Sequence, residues 1–352
     1  MIQIPSEILT LSGEPTVLCR FGKLVFANHS AEDILGSDCV GKSVKALFGT
    51  VISDAQASSF VADVPVMGRH YILRVARIGD VQAVFFSHDE TPAVLMNDAF
   101  IYAMRNSLMN MGIAADKGRL KADKLGDRAL SACFASLSKS HYIMMRLLSN
   151  ISIAKGILEK NLPVTLAAVE MSGFLSELVD TISMLRPDIQ FHVSAGEKLI
   201  IDADTAMLEI LVLNLLSNCL VHAKGLTRIS VSLINSGDSV VISVCDDGCG
   251  IKADELHSVF SRYRFGFDIS HLGKGPGLGL TVVRGIAEYH GGTVLLESRE
   301  GSGTTVRASI SKRLGTQHLR QPQIPYTDSM KSVLIGLSDC LPEACFSDKY
   351  MD

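Results

Sequence analysis

The chain has 352 residues, of which 47% are hydrophobic, and a formal net charge of -4 at pH 7. This length fits two or three domains, and the apolar content is enough for real cores and too high for a disordered protein. A slightly acidic chain gives no electrostatic reason to expect nucleic acid or an anionic membrane as the partner.

The N-terminus and the cysteines bear on the compartment. We find no run of about 18 apolar residues, and therefore expect no membrane span. The opening "MIQIPSEILT" has no basic region before an apolar block, so we expect no signal peptide. The cysteines form no pair of CxxC motifs, which disfavours zinc and leaves free thiols in the cytoplasm as the expectation.

Residues 6–90 alternate short apolar runs with turn signals. The segment "PTVLCRFGKLVFAN" predicts two strands joined at residues 21–23, and "HSAEDILG" predicts a short helix closed by Gly36. The segment "HYILRVARIGDVQAVFFSHD" predicts a hairpin that turns at Gly79 and Asp80. We therefore predict a small α+β sensor domain.

From residue 91 the apolar residues recur every three or four positions, which is typical of a helix with one apolar seam. The first seam holds Ile101, Met104, Leu108, Met111 and Ala115, and the second holds Leu137, His141, Met144, Leu148, Ile151 and Leu158. The polar, glycine-containing stretch 118–126 predicts a bend between them. Residues 91–162 thus predict an antiparallel helical hairpin, and because one hairpin buries little, two copies should form a dimeric four-helix bundle.

Residues 163–314 return to alternating helix and strand patterns. They contain the apolar helix "LEILVLNLLSNCLVHA", a hairpin around residues 236–238, the glycine-opened helix "GLGLTVVRGIAEYHGG" and two further strands. This order predicts an α/β sandwich with one sheet backed by helices, in a multi-domain α+β chain. Residues 315–352 form a tail in which "SVLIGLSDCLPEACF" predicts a short amphipathic element that packs on the domain or on a partner.

Two amides lie one turn apart on the apolar helix, at Asn214 and Asn218. An amide oxygen is a neutral hard ligand that suits Mg²⁺ on a triphosphate. The alternative is a capping or water-bonded core asparagine.

Three glycine motifs follow the amides. "DDGCG" comes straight after a strand, where the Asp246 carboxylate can accept from an adenine amino group and glycines admit the ring, although Asp-Gly pairs usually mark turns. "GPGLGL" opens a helix at 275–280, and backbone N–H groups at a helix N-terminus hold phosphates. Its spacing differs from the dinucleotide fingerprint and from the P-loop. "GSGT" at 301–304 lies between the last strands and is otherwise a plain hairpin.

In this order the motifs resemble the Bergerat-type ATP-binding domain of sensor histidine kinases. The resemblance implies Mg-ATP as the ligand, with Asn218 on Mg²⁺, Asp246 on adenine and residues 252–276, which include the F-box-like "VFSRYRFG", as a lid over the phosphates. It assigns lid cations to Arg262, Arg264 and Lys274, and further ATP-binding positions to Asn214, His222, Gly248, Gly250, Gly277, Leu278, Gly279, Leu280 and Thr304.

The sequence departs from this family and from its relatives at single positions. Val221 stands where the family usually has a basic residue, so one phosphate contact is missing. Gyrase, Hsp90-type and mismatch-repair ATPases are similar, but place a glutamate base where this chain has Asn214. Without a base to activate water, simple ATP hydrolysis is disfavoured, which favours the kinase branch.

The resemblance extends to the rest of the chain. Through "GKLVFANHSAEDILG" and "VGKSVKALF", residues 6–90 resemble a PAS sensor domain. The family implies a homodimer that acts on the receiver domain of a response regulator.

A histidine kinase needs an acceptor histidine on the first bundle helix. We reject His141, because it steps in register with the second seam, no acidic residue follows it, and only one helix fits before Pro163. A packed seam histidine is the alternative reading.

"YAMRNSL" aligns better with the family's H box, with Tyr102 at the acceptor position and Ala103 at the acidic one. A tyrosine hydroxyl, with a pKa near ~10, cannot form the phosphoramidate of the relay. Asn106 matches the group that, in the family, helps position water against an aspartyl phosphate. We expect a degenerate kinase biased toward phosphatase action or ATP-gated docking, with a non-catalytic pseudokinase scaffold and a Bergerat-fold ATPase of another branch as alternatives.

Overall fold

The structure is a computed structural model that describes residues 14–48, 52, 59–67, 69–88, 98–196, 198–252, 278–312 and 329–346. The strands are β1 (Thr16–Arg20), β2 (Lys23–Ala27), β3 (Ser59–Val66), β4 (Arg69–Ile78), β5 (Val81–His88), β6 (Ala167–Glu170), β7 (Gln190–Ser194), β8 (Ile200–Ala203), β9 (Arg228–Ser236), β10 (Ser239–Asp246), β11 (Val294–Ser298) and β12 (Thr304–Ser311). The helices are α1 (His29–Leu35), α2 (Val44–Phe48), α3 (Asp98–Leu125), α4 (Arg128–Leu158), α5 (Met171–Leu185), α6 (Thr205–His222), α7 (Leu278–Tyr289) and α8 (Ser329–Gly336), followed by a 3₁₀ turn at Glu343–Phe346.

The N-terminal region is an antiparallel sheet in the order β2-β1-β5-β4-β3, with both predicted hairpins in place. Asn28 caps α1 by accepting from the N–H of Ala31, and Gly36 ends the helix with a φ of 88°. The buried side chains of α1 and α2 share one core with those of the sheet. Strand β3, which the sequence analysis did not single out, pairs with β4 at the end of this order.

The C-terminal region carries the strands β11-β12-β10-β9-β7, with α5, α6 and α7 contributing to one large core. Strands β6 and β8 pair in a separate two-stranded sheet. The sequence analysis predicted one sheet in this region and missed this second one. The N-terminal core also does not stand alone, because β3 pairs antiparallel with β11 and the two regions form one ten-stranded sheet. Leu295 of β11 belongs to the N-terminal core.

The helical hairpin is present, and its turn lies at the C-terminal end of the predicted bend, residues 118–126. Helix α3 runs through Gly118 and ends at Leu125, and the chain turns at Gly126, whose φ is 67°. Gly118 lies against the ring of Phe134, where a Cβ would collide, so this position inside the helix needs a residue without a side chain. The side chain of Asp127 then caps α4 by accepting from the N–H of Leu130.

Some residues of the two predicted seams are buried between the helices, and others are exposed to solvent. Ile101, Leu108 and Leu148 are buried between the helices, whereas Met104 and Met111 are exposed. Leu137 and Leu158 are exposed as well. A single hairpin therefore buries only part of its apolar residues.

Candidate nucleotide site

Helix α6 is the central element of the site, and its start is fixed by hydrogen bonds. The carboxylate of Asp204 accepts from the N–H groups of Met207 and Thr165. The backbone N–H of Asp204 donates to Nε2 of His290, a fully buried residue just after α7. These bonds hold α6 and α7 in one arrangement.

The composition of α6 also satisfies a length and hydropathy test for a membrane span. Among the described helices only this one, Thr205–His222, passes, with a mean hydropathy of 1.5. The expectation of no membrane span stays a prediction, because this test rests on length and composition alone. Because 56% of this stretch is buried inside the fold, its apolar character is accounted for by the core of the sandwich.

Asn214 is buried on α6, and its amide is held from helix α4. Its Oδ1 accepts from Nη2 of Arg146 at 3.4 Å and from Nδ2 of Asn150 at 3.3 Å. Its Nδ2 donates to the carbonyl of Ile210 at 2.8 Å. The hairpin and the C-terminal region therefore meet at this side chain.

Asn218 lies one turn further along α6, with a different environment. Its Nδ2 is buried and has no hydrogen-bond partner in the part of the chain that the structure describes. A Cβ on Gly279 would lie 3.1 Å from Oδ1 of Asn214 and 3.6 Å from Oδ1 of Asn218. Both amides thus face the first turn of α7, and one of them keeps unused hydrogen-bonding capacity, which fits a site for an external ligand.

Asp246 ends β10 as a buried carboxylate. Its Oδ1 accepts from the N–H of Gly248 at 3.0 Å and from the N–H of Thr304 at 3.3 Å. Burial raises the pKa of Asp246 despite these bonds and one from the thiol of Cys219. Because Cys219 follows Asn218 on α6, this contact brings the amides and the carboxylate to one end of the sandwich.

Glycines are required around Asp246 because backbone segments pass closely there. A Cβ on Gly250, at a φ of 64°, would collide with the carbonyl of Arg299, and one on Gly303, at a φ of 81°, would collide with the carbonyl of Asp246. Gly248 lies against Ala223 at the end of α6, where a Cβ would approach to 2.5 Å. The two glycine motifs therefore pack directly against each other, and we call this contact of Gly250 and Gly303 the glycine joint.

The remaining predicted positions divide between described and undescribed residues. Leu278, Gly279 and Leu280 open α7, and His222 and the exposed Val221 end α6. Gly277, Arg262, Arg264, Lys274 and all but the first residue of the predicted lid at 252–276 lie outside the described residues.

Several residues of the site were missed by the sequence analysis. Arg146 and Asn150 carry no motif, and only their contact with Asn214 reveals them. Glu209, a turn before Asn214, accepts from the hydroxyl of Ser332 in α8, and burial raises its pKa. A small cavity between α4, α6 and α8 is lined by these groups.

The H-box-like stretch lies away from these contacts, on α3. Tyr102 is 67% exposed, and Ala103, Arg105, Asn106 and Ser107 are exposed as well. The hairpin reaches α6 through α4 instead. The predicted acceptor position is therefore open to solvent in the single chain.

His141 is packed between the hairpin helices, which agrees with the interpretation as a seam histidine rather than as the acceptor. A Cβ on Gly112 of α3 would lie 2.6 Å from its ring, and burial lowers the pKa of His141. A half-buried imidazole in a helix contact is a packing residue.

Comparison with known proteins agrees with this site. Residues 203–314 match the family described as "Histidine kinase-, DNA gyrase B-, and HSP90-like ATPase". The chain is 36% identical over 143 residues to the sensor histidine kinase ZraS of Escherichia coli K12, covering 40% of this chain and 30% of that protein. It is 34% identical over 125 residues to the histidine protein kinase DivJ of Caulobacter vibrioides, covering 36% of this chain and 21% of that protein.

A solved structure of the Acinetobacter baumannii histidine kinase AdeS is 16% identical, with a TM-score of 0.43, covering 58% of this chain and 98% of that one. The matched segments span less than a third of both curated relatives. The sequence relatives and the matched domain, which holds Asn214, Asn218, Asp246 and Gly279, support the histidine kinase family.

Proposed function

We propose that the protein is a cytoplasmic, homodimeric sensor histidine kinase of a two-component system that binds Mg-ATP and acts on a response regulator. The observation that carries this proposal is the convergence of Asn214, Asn218, Asp246 and Gly279 at one end of the sandwich. Bound Mg-ATP would supply a transferable phosphoryl group with its charge neutralised by the metal.

The residues present fit this ligand. The unpartnered Nδ2 of Asn218 would donate to a phosphate oxygen, whereas its Oδ1 is the atom that would ligate Mg²⁺. The buried carboxylate of Asp246 suits the amino group of a purine. The N-terminus of α7 places backbone N–H groups beside them. Gly303 and Gly250 allow the backbone segments around Asp246 to pass close to one another.

The hairpin supports a second copy of this chain as the partner. Large apolar side chains are exposed along it, namely Phe100, Met104, Met109, Met111, Ile113, Leu120 and Leu137. Phe100, Met104 and Met111 are spaced by four and seven residues, which places them on one side of α3, and a four-helix bundle would cover that side. The proposed sensor domain at 6–90 is of the PAS type, with the strands and short helices described above.

The chain lacks the acceptor of standard autophosphorylation. Tyr102 and Ala103 occupy the acceptor and acidic positions on an exposed helix face. Asn106 lies one turn on, so the proposed action on the regulator is dephosphorylation, with Asn106 orienting water. A non-catalytic scaffold that binds nucleotide is the second candidate, and it is favoured by the same substitutions.

Calorimetric titration with Mg-AMPPNP tests the nucleotide site. We expect binding by the full chain and its loss in Asn218→Ala, with Asn106→Ala as a matched control that binds normally. Equal binding by Asn218→Ala and the unchanged chain would refute the assignment of this amide.

A receiver domain phosphorylated with acetyl phosphate tests the second step. Candidate receiver domains from the source organism should lose phosphate faster when the protein is added, and less so with Asn106→Ala than with Ser107→Ala. With γ-labelled ATP we expect no acid-labile label. A label lost in a His141 variant would contradict the packing role of His141, and one lost in Tyr102→Phe would indicate a tyrosine kinase.

A further inference from the structure

The C-terminal segment, residues 329–346, is anchored in the body of the protein. Its side chains at Val333, Leu334, Leu337, Leu341 and Phe346 are buried and belong to the main core. Phe346 lies 5.7 Å from the ring of Tyr142 on α4, measured between centroids. The carbonyl of Cys340 accepts from Nη1 of Arg186, which follows α5. The segment thus bridges the hairpin and the C-terminal domain.

The polar side of the segment meets the site through Asp339. Its carboxylate forms an ion pair with Arg146 of α4 and accepts from the hydroxyl of Ser217 on α6 at 3.3 Å. The other nitrogen of the same guanidinium, Nη2, donates to Ser217 at 2.9 Å and to Asn214 at 3.4 Å. Asp339 therefore holds Arg146 in the position from which its Nη2 donates to the amide oxygen of Asn214.

The ion pair between Asp339 and Arg146 determines the charge near the glycine-containing first turn of α7. The amide oxygen of Asn214 faces Gly279 on one side and Arg146 on the other. Arg146 is a mostly buried cation beside a candidate phosphate-binding turn, and Asp339 neutralises it. The site meanwhile lacks a basic residue at Val221.

Resting on the proposed nucleotide site, we propose that residues 329–346 form an autoinhibitory clamp. The clamp holds α4 against α6 and, through Asp339, keeps the charge of Arg146 away from the phosphates of a bound nucleotide. Loss of the ion pair between Asp339 and Arg146 lets α4 move relative to α6, and it leaves the guanidinium of Arg146 without its counter-charge. The clamp thereby couples the end of the chain to nucleotide affinity.

The test uses the full chain and the conservative variant Asp339→Asn. Mg-AMPPNP should bind to it roughly fivefold or more tightly, the lower range of a typical coupling between sites. Hydrogen exchange of residues 329–346 and of α4 around Arg146 should become faster. Glu343→Gln is the matched control, because its carboxylate lies on the same segment but contacts Ser136 instead of Arg146.

Arg146→Gln separates the two parts of the clamp. It should speed hydrogen exchange in the same peptides without tightening nucleotide binding, since the cation itself is gone. If the unchanged chain binds Mg-AMPPNP and Asp339→Asn binds it equally, with equal exchange, the clamp is overturned. If no variant binds Mg-AMPPNP, the proposed function fails instead, and the effect of the clamp on nucleotide fails with it.

Discussion

Two asparagines, Asn214 and Asn106, lie on helices of this protein in opposite surroundings. Asn214 is buried on α6, and both ends of its amide are engaged by α4 or by its own helix. Asn106 is exposed on α3. The same side chain is thus fixed by the fold in one place and free for an incoming partner in the other.

The difference shows where each site gets its geometry. A polar group on an apolar helix must find partners inside the protein, because burial without them is unfavourable. The nucleotide site is therefore arranged before any ligand arrives. The exposed stretch around Tyr102 is ordered only by its helix, so its chemistry depends on what docks against it.

The largest effect should come from the glycine joint of the nucleotide site. Gly303→Ala places a Cβ against the carbonyl of Asp246 at a φ of 81° and should lower the free energy of unfolding by about 3 kcal/mol or more. Gly237→Ala is the control, since Gly237 has a φ of 60° but open space, and should lose about 1 kcal/mol. Urea unfolding measures both, and equal losses would show that the close approach is unimportant.

The comparison of the two asparagines can be tested directly. Asn214→Ala leaves Arg146 and Asn150 without a shared acceptor and should lower the free energy of unfolding by roughly 2 kcal/mol. Asn106→Ala should change it by less than about 0.5 kcal/mol, as is usual for exposed sites. Similar values from thermal or urea unfolding would show that burial does not distinguish these two amides.

A pH effect should follow from His290, which links α7 to the start of α6. Its Nε2 accepts from the N–H of Asp204, its Nδ1 lies 2.8 Å from the carbonyl of Ile286, and burial lowers its pKa. The unfolded chain then binds more protons than the folded one, so stability should fall as pH drops below about 6.5.

Urea unfolding between pH 8 and 5.5 measures this dependence. His290→Gln should be less stable at pH 8 and show a flatter pH dependence. His141, whose pKa burial also lowers, should leave a residual slope. An unchanged slope in His290→Gln would assign the pH dependence to other groups.

The smallest effect is expected at the exposed acceptor position. Tyr102→Phe removes only a hydroxyl from a side chain that is 67% exposed and should change the free energy of unfolding by less than about 0.5 kcal/mol. A larger loss, measured by thermal unfolding of the full chain, would mean that Tyr102 packs in a way the single chain does not show.

Local signals predicted much of the fold. Hairpin turns at Gly22, Gly79 and Gly237, all with positive φ, were visible because few residues but glycine suit that backbone. Helix α6 was predicted from its apolar run, and Asp246 was predicted from its place between a strand and glycines. These features depend on neighbours in sequence.

What sequence reasoning missed depends on distant partners. Gly118 is typical of a bend, yet it lies inside α3, where the ring of Phe134 occupies the space that a side chain would need. Strand β3 contains Pro65, which disfavours an interior strand, and has weak alternation, and its pairing with β11 has no local sign. Arg146 and Asp339 lie almost two hundred positions apart, and only folding makes them neighbours.

The β3–β11 pairing also bears on how the molecule is divided for experiments. An isolated fragment that begins after the N-terminal region would leave β11 as an open sheet edge and Leu295 without its core. Open apolar edges are templates for aggregation. The boundary after the N-terminal region is therefore a poor place to cut, and a well-behaved fragment should keep β3 or carry a polar substitute for Leu295.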